Sequence, residues 1–537
     1  MSVQTKNIKP LKVGMISLGC AKNLVDAEVM MGSLLKQGFQ ITNENTEADA
    51  LIVNTCSFID AAQEESVDTI LESTDFREHA NINQAVIVSG CLSQRYRKEL
   101  PKLMPEVDAF MGIDQVEEVG MIVQQAVRNR SSRVNEDLVQ GDKSPIETDA
   151  TNAHGSVNPD EQASSAIQPL VDINSRPDYI PKFETPRFRL TPKHFTYVKI
   201  AEGCNHPCSF CIIPRMRGSH RSRPQSDIVQ EARQLVADGV KELNLISQDS
   251  TYYGLDLRHN HKVNIASPER FTAATNDLPA DASTLASLIR ELNTIEGDFW
   301  IRILYTHPAH WTEEIISAIA ECEKVVKYVD MPLQHIHDSM LERMRRETNS
   351  QYIKDLIKRI RKGIPNITIR TTFIVGFPGE TEEYFESLLD FIRDIQFERL
   401  GVFTFSKEDG TKAGIMESQL TEDQKEQRRK KTMATQLKIS RKIAAEQVGK
   451  TLRVLVEKQA NEEEINQANL SSWEHGLIRS ESSNNKIDLG NCLIARGEAD
   501  APDIDGRILI QGKLTIGQFA KVKIIGHTDY DLIAEPI

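Results

Sequence analysis

Six of the eight cysteines in this 537-residue chain fall into two groups whose spacing suits iron chemistry. Cys204, Cys208 and Cys211 are separated by three and then two residues, which places three thiolates around one small loop. No fourth cysteine or paired histidine follows at zinc-finger spacing, which disfavours a closed structural zinc site. Three thiolates can hold three irons of a 4Fe–4S cluster and leave the fourth iron open to a ligand. The second group is Cys20, Cys56 and Cys91, at intervals of 36 and 35 residues. Each closes a short apolar run (Lys12–Leu18, Asp49–Asn54 and Ala85–Ser89), and two are preceded by Gly, one by Thr.

Those intervals are about one βα unit each. Residues 10–130 alternate short apolar runs with amphipathic stretches, so a parallel α/β sheet is expected there. Open parallel sheets gather ligands outside the carboxyl ends of their strands, which brings the three thiols toward one edge. Each sits where a helix begins, and a helix N-terminus favours thiolate. The set suits an iron–sulfur cluster with one open iron; a three-thiolate zinc ion with an exchangeable fourth ligand also fits the residues alone.

A polar stretch, 131–190, lacks apolar periodicity and reads as a long, partly mobile linker. From 191 to 447 strand-like runs recur at Phe195–Ile200, Glu242–Ile246, Trp300–Leu304, Val325–Val329, Ile367–Ile374 and Arg399–Phe405. Amphipathic stretches between them (Asp227–Asp238, Thr284–Glu291, Glu313–Glu321, Thr381–Asp394) complete a partial (β/α)6 barrel, whose chemistry belongs at the C-terminal mouth. Leu255–Ala282 interrupts the period as a surface insertion, and a polar insertion is expected near 459–495. Residues 448–537 carry five short strands, at Thr451–Val456, Cys492–Ala495, Arg507–Gln511, Phe519–Ile525 and Asp531–Ala534, which suit a small all-β barrel.

The chain carries 78 acidic and 64 basic side chains, net −14, the wrong sign for a protein that coats RNA by charge alone. No apolar run approaches the ~18 residues of a membrane span, and the N-terminus has no signal-like apolar core. A soluble, cytoplasmic protein without a membrane partner is expected.

Cys204-x3-Cys208-x2-Cys211 after the first strand of a six-fold partial barrel resembles the radical S-adenosylmethionine enzymes. Three spaced cysteines in front and a TRAM-like β barrel behind resemble the methylthiotransferases among them. The stretches Ile16-Ser-Leu-Gly-Cys20-Ala-Lys-Asn-Leu-Val-Asp26, Asn205-His-Pro, Cys211-Ile-Ile-Pro-Arg-Met-Arg-Gly218 and Ser247-Gln-Asp-Ser-Thr251 are similar to the RimO-type branch, which modifies ribosomal protein S-twelve. So are Asp330-Met-Pro-Leu-Gln-His335, Phe373-Ile-Val-Gly-Phe-Pro-Gly-Glu380 and Ala499-Asp-Ala-Pro-Asp-Ile-Asp-Gly506. The tRNA-adenosine branch typically has Met where this chain has Lys22.

The resemblance implies two 4Fe–4S clusters and S-adenosylmethionine as cofactors. One cluster, on Cys204, Cys208 and Cys211, would bind S-adenosylmethionine at its open iron and yield, on one-electron reduction by a flavodoxin or ferredoxin, a 5′-deoxyadenosyl radical. That radical would take a hydrogen from the unactivated β-carbon of an aspartate in ribosomal protein S-twelve, which acid–base chemistry does not readily do. The other cluster, on Cys20, Cys56 and Cys91, would donate sulfur, and a second S-adenosylmethionine the methyl group. The alternatives are a tRNA-adenosine methylthiotransferase and a non-catalytic iron–sulfur scaffold. Residues 450–537 hold 14 acidic and 10 basic side chains, which suits a basic ribosomal protein and not an RNA backbone, so no nucleic acid substrate is expected.

Weaker signals are the turn at Gly376 and Glu380, for close approach to the adenine end of the cofactor, and Ser247, Gln248 and Asp249, for its methionyl or ribose groups; a plain turn and a loop cap fit the same residues. His307, His335 and His337 read as satisfied packing groups, and Cys322 and Cys492 as structural. Arg215, Arg217, Arg221 and Arg223 fit either an anion site or a solvated loop, and Arg428–Lys431 a solvated helix face.

Overall fold

The computed structural model describes residues 9–141, 168–257, 267–461 and 492–537. Parts of the three expected interruptions, at 142–167, 258–266 and 462–491, lie outside the described residues. The chain divides into two units, one comprising residues 1–190 with Arg215–Gly218 and one comprising Thr191–Pro214 with Ser219–Ile537.

The first unit is a parallel sheet of β1 (Lys12–Ser17), β2 (Gln40–Ile41), β3 (Ala50–Thr55), β4 (Ala85–Gly90), β5 (Ala109–Met111) and β6 (Leu170–Asp172), in the order β2-β1-β3-β4-β5-β6. Every residue of β3 and β4 is buried, because helices cover both faces and leave no solvent side to alternate toward. The expected linker is structured at both described ends. The helix Val119–Gly141 continues past 131, and β6 adds an edge strand to the sheet. Farther on, Arg187 pairs with the buried Glu28 at 2.5 Å, and Leu190 N–H donates to the same carboxylate. A buried carboxylate demands such partners, and they come from 159 residues away, where periodicity carries no signal.

In the second unit six strands lie parallel in reverse chain order: β14 (Arg399–Thr404), β13 (Thr368–Val375), β12 (Val325–Asp330), β11 (Trp300–Ile303), β10 (Glu242–Ile246) and β7 (Phe195–Lys199). This is the open six-fold barrel expected from the alternation. A short pair, β8 (Ala201–Glu202) with β9 (Arg221–Ser222), brackets the cysteine loop. Three of this unit's helices start at side-chain caps of one kind: Thr312, Asn349 and Thr381 accept from the backbone N–H three residues on, at 3.2, 2.8 and 3.2 Å. Leu255–Ala282 is not wholly a surface insertion, since Leu255 and Phe271 are buried with Tyr252, and Phe271 stacks on His310.

The C-terminal strands β15 (Thr451–Gln459), β16 (Cys492–Gly497), β17 (Ile508–Gln511), β18 (Phe519–His527) and β19 (Leu532–Pro536) close into a barrel in the order β15-β16-β17-β19-β18. A polar network joins it to the parallel sheet. Glu242, at the start of β10, accepts from Arg302 at 2.7 Å and from Arg496. Arg302 donates to Glu498 O at 2.7 Å, Arg399 pairs with Asp500 at 2.5 Å, and Tyr328 O–H donates to Asp505 at 2.7 Å. Burial would raise the Glu242 carboxyl, but Arg496 and Arg302 hold it below its ordinary range. The stretch from Arg496 to Asp505 thus plugs the sheet by its polar and charged groups.

Candidate metal centres

The first triad is assembled by three strand ends. Cys20 follows β1, Cys56 follows β3 and Cys91 follows β4, and these strands are neighbours in the sheet. Asn23 ties the first end to the second: its amide donates to Leu18 O at 2.7 Å and to Thr55 O at 3.1 Å. Thr55 Oγ1 donates to Ser89 O at 2.5 Å and accepts from Leu92 N–H at 3.3 Å, tying the second end to the third. Ser66 accepts from Cys56 N–H at 3.0 Å and donates to Cys56 O at 2.9 Å. The glycines before two of the cysteines are required by this closeness. At Gly19 (φ +85°) a Cβ would lie 2.7 Å from Cys56 Cβ, and at Gly90 (φ +92°) one would lie 2.5 Å from Thr55 O.

Cys20 is exposed, while Cys56 and Cys91 are buried. Burial raises the Cys56 thiol, and Cys91 and Cys20 raise it further. Cys91 is raised by burial against the opposing pull of Arg217, whose Nη2 lies 3.3 Å from its Sγ. The thiolate bias expected from helix N-termini therefore does not prevail at these two positions. Cys56 stands four residues ahead of its helix, Asp60–Ala80, and the helix begun by Cys91 ends at Arg95. Desolvation and mutual repulsion outweigh so weak a dipole.

The second triad comes from one loop. Cys204, Cys208 and Cys211 are half-buried, and Cys211 N–H donates to Cys208 O at 3.2 Å. Burial raises Cys204 well above its ordinary value, with Cys211 and Cys208 adding to it; Cys211 is pushed up to about 12 by burial and Cys208. Arg346, nearly buried, points Nη1 at Cys208 Sγ from 3.5 Å and donates from Nη2 to Pro332 O at 2.7 Å.

Inside this loop His206 is clamped between two carboxylates, Nε2 at 2.9 Å from Asp249 and Nδ1 at 3.1 Å from Glu347. Burial would lower His206, but these partners raise it to about 9. Asp249 also takes His310 Nδ1 at 2.7 Å and Thr251 Oγ1 at 2.5 Å. Of the three polar residues singled out at this strand end, Ser247, Gln248 and Asp249, it is Asp249 that anchors the loop.

Both triads fit an iron–sulfur cluster better than a single ion. One tetrahedral ion with metal–sulfur bonds of about 2.3 Å would draw its thiolates to roughly 3.8 Å from each other. Among the described residues the only set of three or more His, Cys, Asp or Glu whose ligand atoms all lie within 4.8 Å of one another is His206, His307 and His310. Each cysteine triad is wider, as a cluster of several irons requires. The histidine trio is itself poorly arranged for a metal. The rings of His206 and His307 stack at 3.6 Å and 17°, so their in-plane lone pairs run alongside each other instead of converging. The mutual destabilisation of the thiolates is what a cationic iron core relieves.

The weaker site residues divide. Gly376 N–H donates to Glu380 at 2.5 Å, and Glu380 also holds His335 at 3.1 Å and Arg428 at 2.6 Å. This turn is bonded to itself, with Gly376 left-handed (φ +73°) against Lys425, so Glu380 spends its carboxylate on holding the turn's shape. Ser247 is buried and shares a hydrogen bond with Ser250, a loop cap. Gln248 differs: its amide nitrogen donates to Glu202, and its amide oxygen is buried without a partner among the described residues.

His307 and His337 accept from backbone N–H groups as helix caps. Cys322 and Cys492 are buried in cores. The arginine quartet does not gather: Arg217 joins Asp26, Arg223 pairs with Glu231 at 2.6 Å, Arg221 bonds Ser219 O, and Arg215 is exposed. The basic run at 428–431 is not wholly a solvated face either, since Arg428 reaches the buried Glu380.

Residues 12–112 match the Uncharacterized protein family UPF0004, 198–392 the Radical SAM superfamily and 484–537 the TRAM domain. A ribosomal protein uS12 methylthiotransferase RimO of Opitutus terrae is 47% identical over 98% of this chain and 97% of that protein. The protein of the same name from Akkermansia muciniphila is 45% identical over 98% of this chain and 100% of its own length. Among solved structures, the radical S-adenosylmethionine methyltransferase TsrM of Kitasatospora setae overlaps 76% of this chain and 77% of its own, at TM-score 0.45 and 14% identity. By the identity and coverage of its relatives, the chain belongs to the ribosomal protein uS12 methylthiotransferase family of radical S-adenosylmethionine enzymes, which use 4Fe–4S clusters and S-adenosylmethionine.

Proposed function

We propose that this chain methylthiolates the β-carbon of an aspartate side chain in ribosomal protein uS12, with Cys204, Cys208 and Cys211 holding the radical-generating cluster and Cys20, Cys56 and Cys91 the sulfur-donating one. The observation that carries this reading is the pair of separate thiol triads, each at a loop following parallel strands and each wider than a single ion needs. When bound, the clusters and S-adenosylmethionine supply a carbon radical able to break an unactivated C–H bond, together with the sulfur and the methyl group.

The protein's own residues position these groups. Asp249 and Glu347 grip His206 and so fix the loop between Cys204 and Cys208. The free amide oxygen of Gln248 is an acceptor suited to the ammonium of a methionyl group. Gly19 and Gly90 let three strand ends close to within thiol reach. The reading includes a one-electron reductant such as flavodoxin or ferredoxin and a cytoplasmic setting; no helix among the described residues is long and apolar enough to cross a membrane. The acidic balance of the last 88 residues favours a basic protein substrate over tRNA.

Anaerobic reconstitution with iron and sulfide, followed by reductant, S-adenosylmethionine and either the aspartate-bearing loop of uS12 or bulk tRNA, tests it by mass. One methylthio group gained on the peptide's aspartate is expected. A gain on tRNA alone would overturn the substrate assignment and leave the radical chemistry standing.

A further inference from the structure

Arg217 is the one member of its arginine quartet aimed at a cysteine. It sits six residues after Cys211 in sequence, yet it belongs to the first unit with Arg215–Gly218. Only 2% of its side chain is exposed. Nη2 approaches Cys91 Sγ at 3.3 Å, Nη1 meets Asp26 at 3.1 Å, and Asn23 Oδ1 lies 3.4 Å from Nη2. The residues that hold it are those that build the site: Asn23 is the amide that staples the ends of β1 and β3, and Asp26 is one turn further along the helix that Cys20 caps. A guanidinium so buried is costly unless its charge does something for its neighbours. Asp26 supplies one negative partner, and Cys91, a thiolate once it ligates iron, is the other group within reach.

We propose that Arg217 is a positioning residue of the Cys20, Cys56 and Cys91 site, donating an N–H···S hydrogen bond to the Cys91 thiolate and setting the reduction potential of the cluster bound there, with Asp26 as its counterweight. The proposal rests on the assignment of that triad to a cluster. Hydrogen bonds and positive charge at a ligand sulfur stabilise the reduced, more negative cluster and raise its potential. Arg217 therefore poises this cluster upward, and Asp26 limits the effect. The two residues are expected to shift the potential in opposite directions, which a purely structural pair would not do.

The test uses the full chain carrying Cys204→Ala, Cys208→Ala and Cys211→Ala, so that only the first triad can be loaded. Iron and sulfide content, electron paramagnetic resonance and a dithionite-poised redox titration are read on this parent, on Arg217→Gln, on Arg217→Lys and on Asp26→Asn. Arg217→Gln is expected to lower the midpoint by about tenfold in the reduced-to-oxidised ratio, roughly 59 mV for one electron. Asp26→Asn is expected to raise it, and Arg217→Lys, which keeps the charge without the fork, to fall between parent and Arg217→Gln. Midpoints and resonance signals unchanged in Arg217→Gln would overturn the proposal. Should Arg217→Gln fail to fold by circular dichroism, Asp26→Asn decides: a raised midpoint supports the proposal, an unchanged or lowered one overturns it. A parent that binds no iron–sulfur cluster would overturn the underlying assignment and the proposal with it.

Discussion

Cys204, Cys208 and Cys211 come from eight consecutive residues of one loop, whereas Cys20, Cys56 and Cys91 come from the ends of three neighbouring strands. The loop triad is preset by chain connectivity, and its support is electrostatic: His206 between Asp249 and Glu347, with Arg346 against Cys208. The strand triad exists only once the sheet has formed, and its support is steric and amide-based, through Gly19, Gly90, Asn23 and Thr55. A local site of this kind tolerates distant damage; a tertiary one transmits every shift of register to its thiols.

Substitution of a ligand is the most severe way to break the symmetry of the two sites. Cys208→Ala is expected to abolish both 5′-deoxyadenosine release and methylthio transfer, whereas Cys56→Ala should keep the release and lose the transfer; chromatography of the nucleoside beside mass analysis of the peptide reads both. Gly19→Ala ranks next, because a Cβ would strike Cys56 and a left-handed backbone costs a side chain on the order of 1–3 kcal/mol. Iron content should fall from about eight to about four per chain, the loop cluster surviving. Equal loss from both sites would deny that the strand triad is the more fragile.

Asp249→Asn addresses the other site. Loosening the charge-assisted grip on His206 and His310 is expected to cost about 1–3 kcal/mol there and to slow 5′-deoxyadenosine formation by roughly ten- to hundredfold. The strand cluster's resonance signal should stay unchanged. Gln248→Ala is expected to be the mildest, raising the KM for S-adenosylmethionine about fivefold for the loss of one hydrogen bond worth ~1 kcal/mol, with kcat nearly constant. A fall in kcat at unchanged KM would place Gln248 away from ground-state binding.

Much of this architecture was legible in the sequence, for physical reasons that also mark where legibility ends. Apolar runs gave all six strands of the second unit's parallel sheet and three of the six in the first to within a residue or two at each end, because that signal is local; the short strands β2, β5 and β6 carry too few residues to show it. The six cysteines stood out for the same reason: the tight spacing of one triad, and the repeated strand-end position of the other. Contacts between residues far apart in sequence left no trace. Nothing around Arg187 announces its pairing with Glu28, and nothing in 267–276 announces that Phe271 is buried against His310. The turn at Gly376 was legible as a turn, but its bonding of Glu380 to His335 and Arg428 was not, because those partners lie 45 and 48 residues away. Asp249 was legible as a polar strand-end residue, but its anchoring role was not, since that lies in what reaches it, two histidines from different elements.

The charged plug from Arg496 to Asp505 also governs how this protein can be taken apart. Because Glu242 and Arg302 are fully buried and complete their bonding through Arg496 and Glu498, the C-terminal barrel is not a module that can be exchanged at its boundary. A chimera joined near residue 448 would leave those side chains, with Arg399, stranded in the interior unless the incoming barrel carried matching charges. Swapping of this barrel between relatives is therefore constrained to donors in which the plug and its four sockets on the sheet, Glu242, Arg302, Tyr328 and Arg399, have changed together.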